Sequence, residues 1–513
     1  MRDTPKTATW TFAILTSALG AAMLFDAEPG INWPIWVAAA SLSVIIARLV
    51  SIGRVERPLA ILLAWATLLS ISFAIISNEF LHLLVVLSDA MLLGLAMISI
   101  GAESWQALSA KLLAAVPFLA PFRVWRAAAN EVADAPKSVS SPRSRAIIKG
   151  VVLSAPLVIV LIALLGNADP VIRWATDRLS AWLPDWSFPP RILFFLFLLS
   201  VTLGANAIAA RQVVSALPDI PSPPRTLTIG FTEQRIVLWS AAVVLWLFVV
   251  LQVSYLVHPP PVAIDSGVTF AEYARRGFGE LSVAATIVGA IILILEYSRP
   301  REMAEGEQRT LLRLELALLL ALELILVSAF RRVVLYEQAY GFTTARLLAQ
   351  AYMVGMALAF VALGLEIATG RISVNFARRV AEIALGVLTI LVFWNHESWI
   401  VDKNIDRATQ TGKFDVDYAR RLSNDAIPTL IARRRELDPS ARLAIESSVE
   451  CARGDTNRHW FEWNASASRQ RAALESVHPA ACGTGESLRW SRRRIDATPA
   501  KQPAAASASK SAS

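Results

Sequence analysis

Three acidic residues stand where acid is costly. Asp89, Glu315 and Glu323 fall inside long apolar stretches. Ionisable side chains in that setting pair between helices or mark proton and ion paths. Glu315 and Glu323, eight residues apart, share one face of a helix, with Arg313 near its end and His82 near one end of the stretch that holds Asp89. Two further stretches mix charge with aromatic rings. In the first, Thr269-x-x-Glu272 has the spacing of a capping box, in which hydroxyl and carboxylate satisfy two free backbone N–H groups. The helix it opens puts Tyr273 and Gly277 on one face, and Glu272, Arg275, Arg276 and Glu280 at pairing distance. This describes an amphipathic elbow, either an anchor at the membrane surface or an element that binds a lipid headgroup. The second stretch, a short basic and aromatic loop, holds Arg331, Arg332, Tyr336, Glu337, Tyr340, Gly341 and Arg346. Its arginines could meet an anionic headgroup or a carboxylate such as Glu337, or snorkel from a helix end.

Cys451 and Cys482 are the only cysteines and lie late in the chain. In an oxidising compartment they could close a loop of 31 residues. The rival reading adds His459 and His478 as zinc ligands, but the spacing matches no compact finger. No metal and no cofactor is expected. The signatures GxxxxGK[ST], HExxH and GxSxG are absent, and Asn395-His396-Glu397 is only a fragment of a zincin string. An enzyme is therefore not expected. Asn464-Ala-Ser466 matches a glycosylation sequon.

These residues sit on a chain of 513 residues that is 55% hydrophobic and only 18% charged, with a mean hydropathy of +0.50. A soluble globular chain is about 45–50% apolar and about 25% charged, so the balance points to a polytopic membrane protein. The net charge of +8 then reports topology first, and no nucleic-acid partner is expected. A spanning helix needs about 20 apolar residues. That ruler gives about eleven spans, near 9–25, 31–50, 58–77, 79–100, 147–166, 192–210, 236–256, 281–297, 311–330, 347–366 and 377–395. With the N-terminus inside, the cytoplasmic segments hold 22 Lys and Arg against 8 on the other side. The positive-inside rule therefore puts the N-terminus in the cytoplasm and, with an odd span number, the C-terminal tail in the periplasm of a bacterial inner membrane.

The fold class expected is all-α: a transmembrane helix bundle over 1–395, a small helical extramembrane module over 396–496, and an Ala/Ser-rich disordered end over 497–513. The longest cytoplasmic loop, 102–146, begins with an interfacial helical pattern from Trp105. In the tail, helices are expected from Asp415 to Leu422, after the caps Ser423-Asn424-Asp425 as far as Leu437, from Pro439 and Ser440, and from Arg458 to Leu474.

Three strings in order, TFAEYARRGFGEL from Thr269, RRVVLYEQAYGFTTAR from Arg331 and NIDRATQTGKFDVDYARRLSNDAIPTL from Asn404, resemble the bacterial multi-pass membrane proteins called domain of unknown function 4173, related to 4153. The likeness covers about 150–475. It departs from that family at Tyr255, followed here by Leu-Val-His-Pro-Pro-Pro, and at Asn395-His396-Glu397. The resemblance implies fold and membrane location, not an activity. The role expected is accessory, signalling or envelope-associated, with the lipid bilayer and an envelope protein or anionic headgroup as partners. The alternative is a transporter or lipid-handling protein that uses the intramembrane carboxylates.

Overall fold

The computed structural model describes residues 4–100, 110–133, 188–211, 229–257, 270–300, 303–369, 376–453, 459–477 and 486–490. Contacts divide the chain into two units. One is Met1–His396 with Arg458–Ala467, and the other is Glu397–Asn457 with Ser468–Ser513. Ten residues of the tail thus belong with the first unit, whereas the sequence puts all of 396–496 in one module.

The first unit is built of long helices. One group comprises α1 (Thr4–Met23), α2 (Asn32–Ile52), α3 (Arg57–Ser70), the short α4 (Ser72–Ile75), α5 (Glu79–Ser99), α6 (Ala110–Ala133) and α7 (Phe188–Ala209). α7 packs against α1, α2 and α6, and α5 packs against α3 and α6. The second group comprises α8 (Phe231–Val257), α9 (Phe270–Tyr297), α10 (Glu305–Tyr340), α11 (Thr344–Ala368) and α12 (Phe376–Phe393). Here α10 is central: α8, α9 and α11 all pack on it, and Leu311, Leu318, Leu322 and Ala329 form its buried stripe. α12 packs on α11 and also touches α5 and α6.

Local sequence sets the ends. Asn78 caps α5 by accepting from the Leu81 N–H at 3.0 Å, and Thr343 caps α11 by accepting from the Arg346 N–H. Pro58 stands in the first turn of α3, where its missing N–H costs nothing. Lipid offers helices no hydrophobic drive to associate, so close approach by small residues matters. Gly204 shows this. A Cβ there would lie 2.1 Å from the Val124 carbonyl oxygen, so only glycine admits the contact between α6 and α7.

Among the described residues, eight helical stretches are long and apolar enough to cross a membrane: Asn32–Ile52, Arg57–Ile75, Glu79–Ser99, Leu112–Val132, Pro190–Ala209, Phe231–Leu251, Gly279–Tyr297 and Thr344–Ala368. Seven coincide with expected spans. The expected spans at 9–25, 311–330 and 377–395 are helical but outside this set, being richer in Thr and Ser (α1) or in charge (α10 and α12). The eighth stretch corrects the expectation for 102–146, because α6 is a helix of spanning length where a loop with an interfacial helix was expected. Pro117, Pro121, Arg123 and Arg126 break up its apolar run. The expected span at 147–166 lies outside the described residues, as does the end at 497–513.

The second unit is small and mostly helical. It holds most of α13 (His396–Thr411), then α14 (Val416–Arg421), α15 (Ile427–Arg433), a 3-10 turn at Arg434–Glu436, α16 (Pro439–Glu446) and the end of α17 (Ala465–Glu475). Asp415 and Asp438 cap α14 and α16. Ile405, Ile427, Leu430, Ile431 and Ile445 form its core. Two strands that the sequence reading did not anticipate, β1 (Val449–Arg453) and β2 (Glu486–Trp490), pair antiparallel with Cys451 opposite Leu488.

Candidate functional site

A buried polar group forms where α9 is followed by α10. Glu315 is fully buried, and its Oε1 accepts from Arg299 Nη2 at 2.6 Å. Arg299 also pairs with Glu296 at the end of α9, so two carboxylates share one guanidinium. Gln234 of α8 joins the same end by donating to the Leu295 and Ile229 carbonyls at 3.2 and 3.0 Å. The Ile229 N–H donates in turn to the Ser298 carbonyl. Among the described residues, Glu315 Oε2, Arg299 Nε and Gln234 Oε1 have no hydrogen-bond partner. Spare acceptors beside a paired arginine could receive a proton or a small cation. The pairs themselves pin α8, α9 and α10 together, and breaking one would leave a buried charge alone.

A second group closes the other end of α10. The stretch from Arg331 to Tyr340 is helix rather than loop, and the turn is only Gly341–Thr343. Gln350 of α11 donates to Glu337 Oε2 at 2.8 Å. The Arg346 guanidinium lies 4.1 Å from the Tyr336 ring centroid and donates to the Gly341 carbonyl. Tyr336 and Tyr340 rings are 4.8 Å apart. Arg331 is exposed and Arg332 half-buried.

The other expected residues are scattered. Asp89 is buried on α5, in the other helix group, and its Oδ1 has no partner among the described residues. Glu323 is half-buried on α10 with Oε1 in the same condition. Thr269 lies outside the described residues, as do the side chains of Glu272, Tyr273, Arg275 and Arg276, and Gly277 falls within α9. α9 runs unbroken from Phe270 to Tyr297, so elbow and span are one helix, with Glu280 exposed on it. Cys451 lies on β1, while Cys482 and His478 lie outside the described residues. His459 belongs to the first unit and stacks on Phe461. No group of three metal-ligating side chains occurs among the described residues.

Three polar links were not legible in the sequence. Arg48, buried at the end of α2, meets Glu56 through Nε at 3.1 Å and through a second short contact, and donates from Nη1 to the Ala209 and Arg211 carbonyls at 3.1 and 2.9 Å. It thereby caps the C-terminus of α7. Burial raises the Glu56 carboxyl, but the Arg48 hydrogen bond and charge outweigh it and hold the group below its ordinary value. Arg379 of α12 reaches buried Glu366 of α11 at 2.5 Å. Asn464 donates from Nδ2 to the Phe73 and Ile76 carbonyls at 2.7 and 2.8 Å, and its Oδ1 accepts from the Ala467 N–H and the Ser77 hydroxyl. Its amide is fully engaged and 7% exposed, which leaves the sequon reading no free acceptor nitrogen in the folded chain.

Residues 63–432 match the family described as Domain of unknown function (DUF4153). The chain belongs to that family. The match is to DUF4153, the relative of the 4173 family that the sequence strings resemble. The match takes in Asp89, the Glu315–Arg299 group and the Glu337–Arg346 group, and stops before Cys451 and Asn464. No curated protein and no solved structure matches the chain.

Proposed function

We propose that this DUF4153 protein is a multi-pass protein of the bacterial inner membrane, with a cytoplasmic N-terminus and a periplasmic tail, and that it serves the envelope as an accessory or signalling component. One observation carries the reading. The tail segment Arg458–Ala467 is bonded to one end of the first helix group, through Asn464 to Phe73 and Ile76 and through the Trp463 carbonyl to the Ile31 N–H at 3.0 Å. That end carries Asp26, Glu28 and Glu79, while the opposite end carries Arg48, Arg54, Arg57 and Arg211. By the positive-inside rule the acidic end is periplasmic, and the tail goes with it. This orientation follows from the charge at the two ends rather than from the number of spans, so α6 does not disturb it. A large share of the tail then faces the envelope, where its partner would be an envelope protein or an anionic headgroup.

The transporter reading has a specific observation in its favour, the spare oxygens of Asp89, Glu315 and Glu323. Against it, Asp89 lies in a different helix group, and Glu315 is already held by Arg299. The test has two arms. A reporter active only in the cytoplasm, inserted at Gly412, should be silent, and an exported reporter there should be active; the reverse overturns the orientation. Proteoliposomes with and without a proton gradient should show no solute flux. Gradient-driven flux that is lost in Glu323→Gln would replace the accessory role with transport.

A further inference from the structure

The returning segment Arg458–Ala467 does more than close the tail onto the bundle. Its 3-10 turn at Trp460–Glu462 crosses Gly30, where a Cβ would lie 2.6 Å from the Glu462 carbonyl carbon, so the turn between α1 and α2 is shaped to receive it. Beneath lies a stack of rings: Trp33 on Phe73 at 4.9 Å and Phe73 on His82 at 4.3 Å. Asn464 and Ser466 are buried in this seat, yet Trp460 and Trp463 are 71% and 52% exposed. Two large indoles left outward on a clamped segment need a covering phase.

The position of the clamp names it. The Trp463 carbonyl is bonded to Ile31, one residue before the spanning stretch Asn32–Ile52, and Asn464 is bonded to Ile76, one residue after Arg57–Ile75. The two indoles therefore sit at the level where two spans end, which is the headgroup layer that outlines a bilayer's hydrocarbon. Indole prefers that layer, because its ring is apolar and its N–H needs a polar partner. We propose that Trp460 and Trp463 rest in the lipid–water interface and anchor the returning tail segment to the bilayer as well as to the bundle. The occupant is phospholipid at headgroup depth. This goes beyond the envelope role and holds whichever face is periplasmic, so it stands or falls independently of the orientation.

The test uses the full chain in phosphatidylethanolamine–phosphatidylglycerol vesicles. In a Cys451→Ser, Cys482→Ser background, Trp463→Cys is labelled with an environment-sensitive fluorophore. Nitroxide lipids bearing the spin label near the headgroup should quench it strongly, and aqueous iodide weakly. Adding Asn464→Ala should reverse that order by releasing the clamp. Iodide quenching without lipid quenching in the parent would overturn the proposal, and so would protection from both quenchers, which would mean that protein covers the site. A second measurement avoids the cysteine background. Brominated lipids should quench a smaller share of intrinsic tryptophan emission in Trp460→Phe/Trp463→Phe than in the unaltered chain, and an equal share would overturn the proposal.

Discussion

Arg48 and Glu56 meet across the turn between α2 and α3, both almost fully buried, and the same guanidinium holds the Ala209 carbonyl that ends α7 and the Arg211 carbonyl just beyond it. One side chain therefore ties three helices at their basic end. Arg48→Met should destabilise the first unit by about 3–5 kcal/mol, because it strands a buried carboxylate and frees two helix-end carbonyls. Thermal unfolding in detergent measures this. Arg48→Met/Glu56→Gln should recover part of the loss, whereas Glu56→Gln in the native background should be the mildest of the three. Equal stability of Arg48→Met and the unaltered protein would remove the pair as a structural tie.

Gly204→Leu should separate α6 from α7. The new side chain would occupy the space of the Val124 backbone, which cannot yield as a flexible side chain can. The expected result is loss of folded protein in detergent, with Gly306→Leu harmless because nothing lies near its Cβ position. Size-exclusion profiles of the two variants would show it. A monodisperse Gly204→Leu protein would mean that the helices part without consequence.

The second unit should weaken in acid. Arg433 bonds Asp402, Asp406 and Glu436, at 2.5, 2.8 and 2.6 Å. Hydrogen bonding from Arg433 holds Asp406 below its ordinary 3.8, and Arg442 with Arg434 holds Glu446 below 4.5. A depressed folded value means that the contribution is present above the unfolded pKa and is lost as pH falls through the folded one. The urea midpoint of this unit should therefore fall below about pH 4.5. Fluorotryptophan NMR can follow it, with the Trp490 signal identified by its loss in Trp490→Phe. Arg433→Gln should flatten the decline. These carboxylates are partly exposed to solvent, so molar salt should shrink the effect.

We expect Cys451 and Cys482 to be joined in the native membrane. β1 and β2 pair Arg453 with Glu486, four positions after residue 482, so the strand pair draws the two ends of the intervening loop together. An oxidising periplasm would keep the bond, worth roughly 3–4 kcal/mol for a loop of this length. Alkylation on membranes should label both thiols only after reductant. Labelling without reductant excludes the bond, and labelling released by a chelator would support the zinc alternative.

Long-range contacts separate what was legible from what was not. The spans could be read because twenty apolar residues in a row are a local signal, and the helix starts near Asp415 and Pro439 were equally local. α6 was hidden because two prolines and two arginines interrupt its apolar run, although α5 and α7 give those residues a helix to pack on. Arg331 and Arg332 looked like the end of a span. α10 continues through them because packing overrides the weak helix propensity of Val333 and Val334: Val333 joins the core and Glu337 is held by Gln350. Asn464 was read as a sequon, since its partner Phe73 is 391 residues away and leaves no mark in the nearby sequence. The strand pair escaped for the same reason: each strand has five residues, and pairing alone makes them strands.

The seat for Asn464 also sets an order of events in biosynthesis. Phe73 and Ile76 leave the ribosome long before the side chain that occupies their carbonyls, which follows 391 and 388 residues later. Until residue 464 has been made and delivered to that face, the break between α3 and α5 waits on water or lipid headgroups for its hydrogen bonds. The finished clamp therefore marks a chain that has been made at least through residue 464. Molecules cut short before it would carry an unclosed helix break, a difference that a membrane protease could act on.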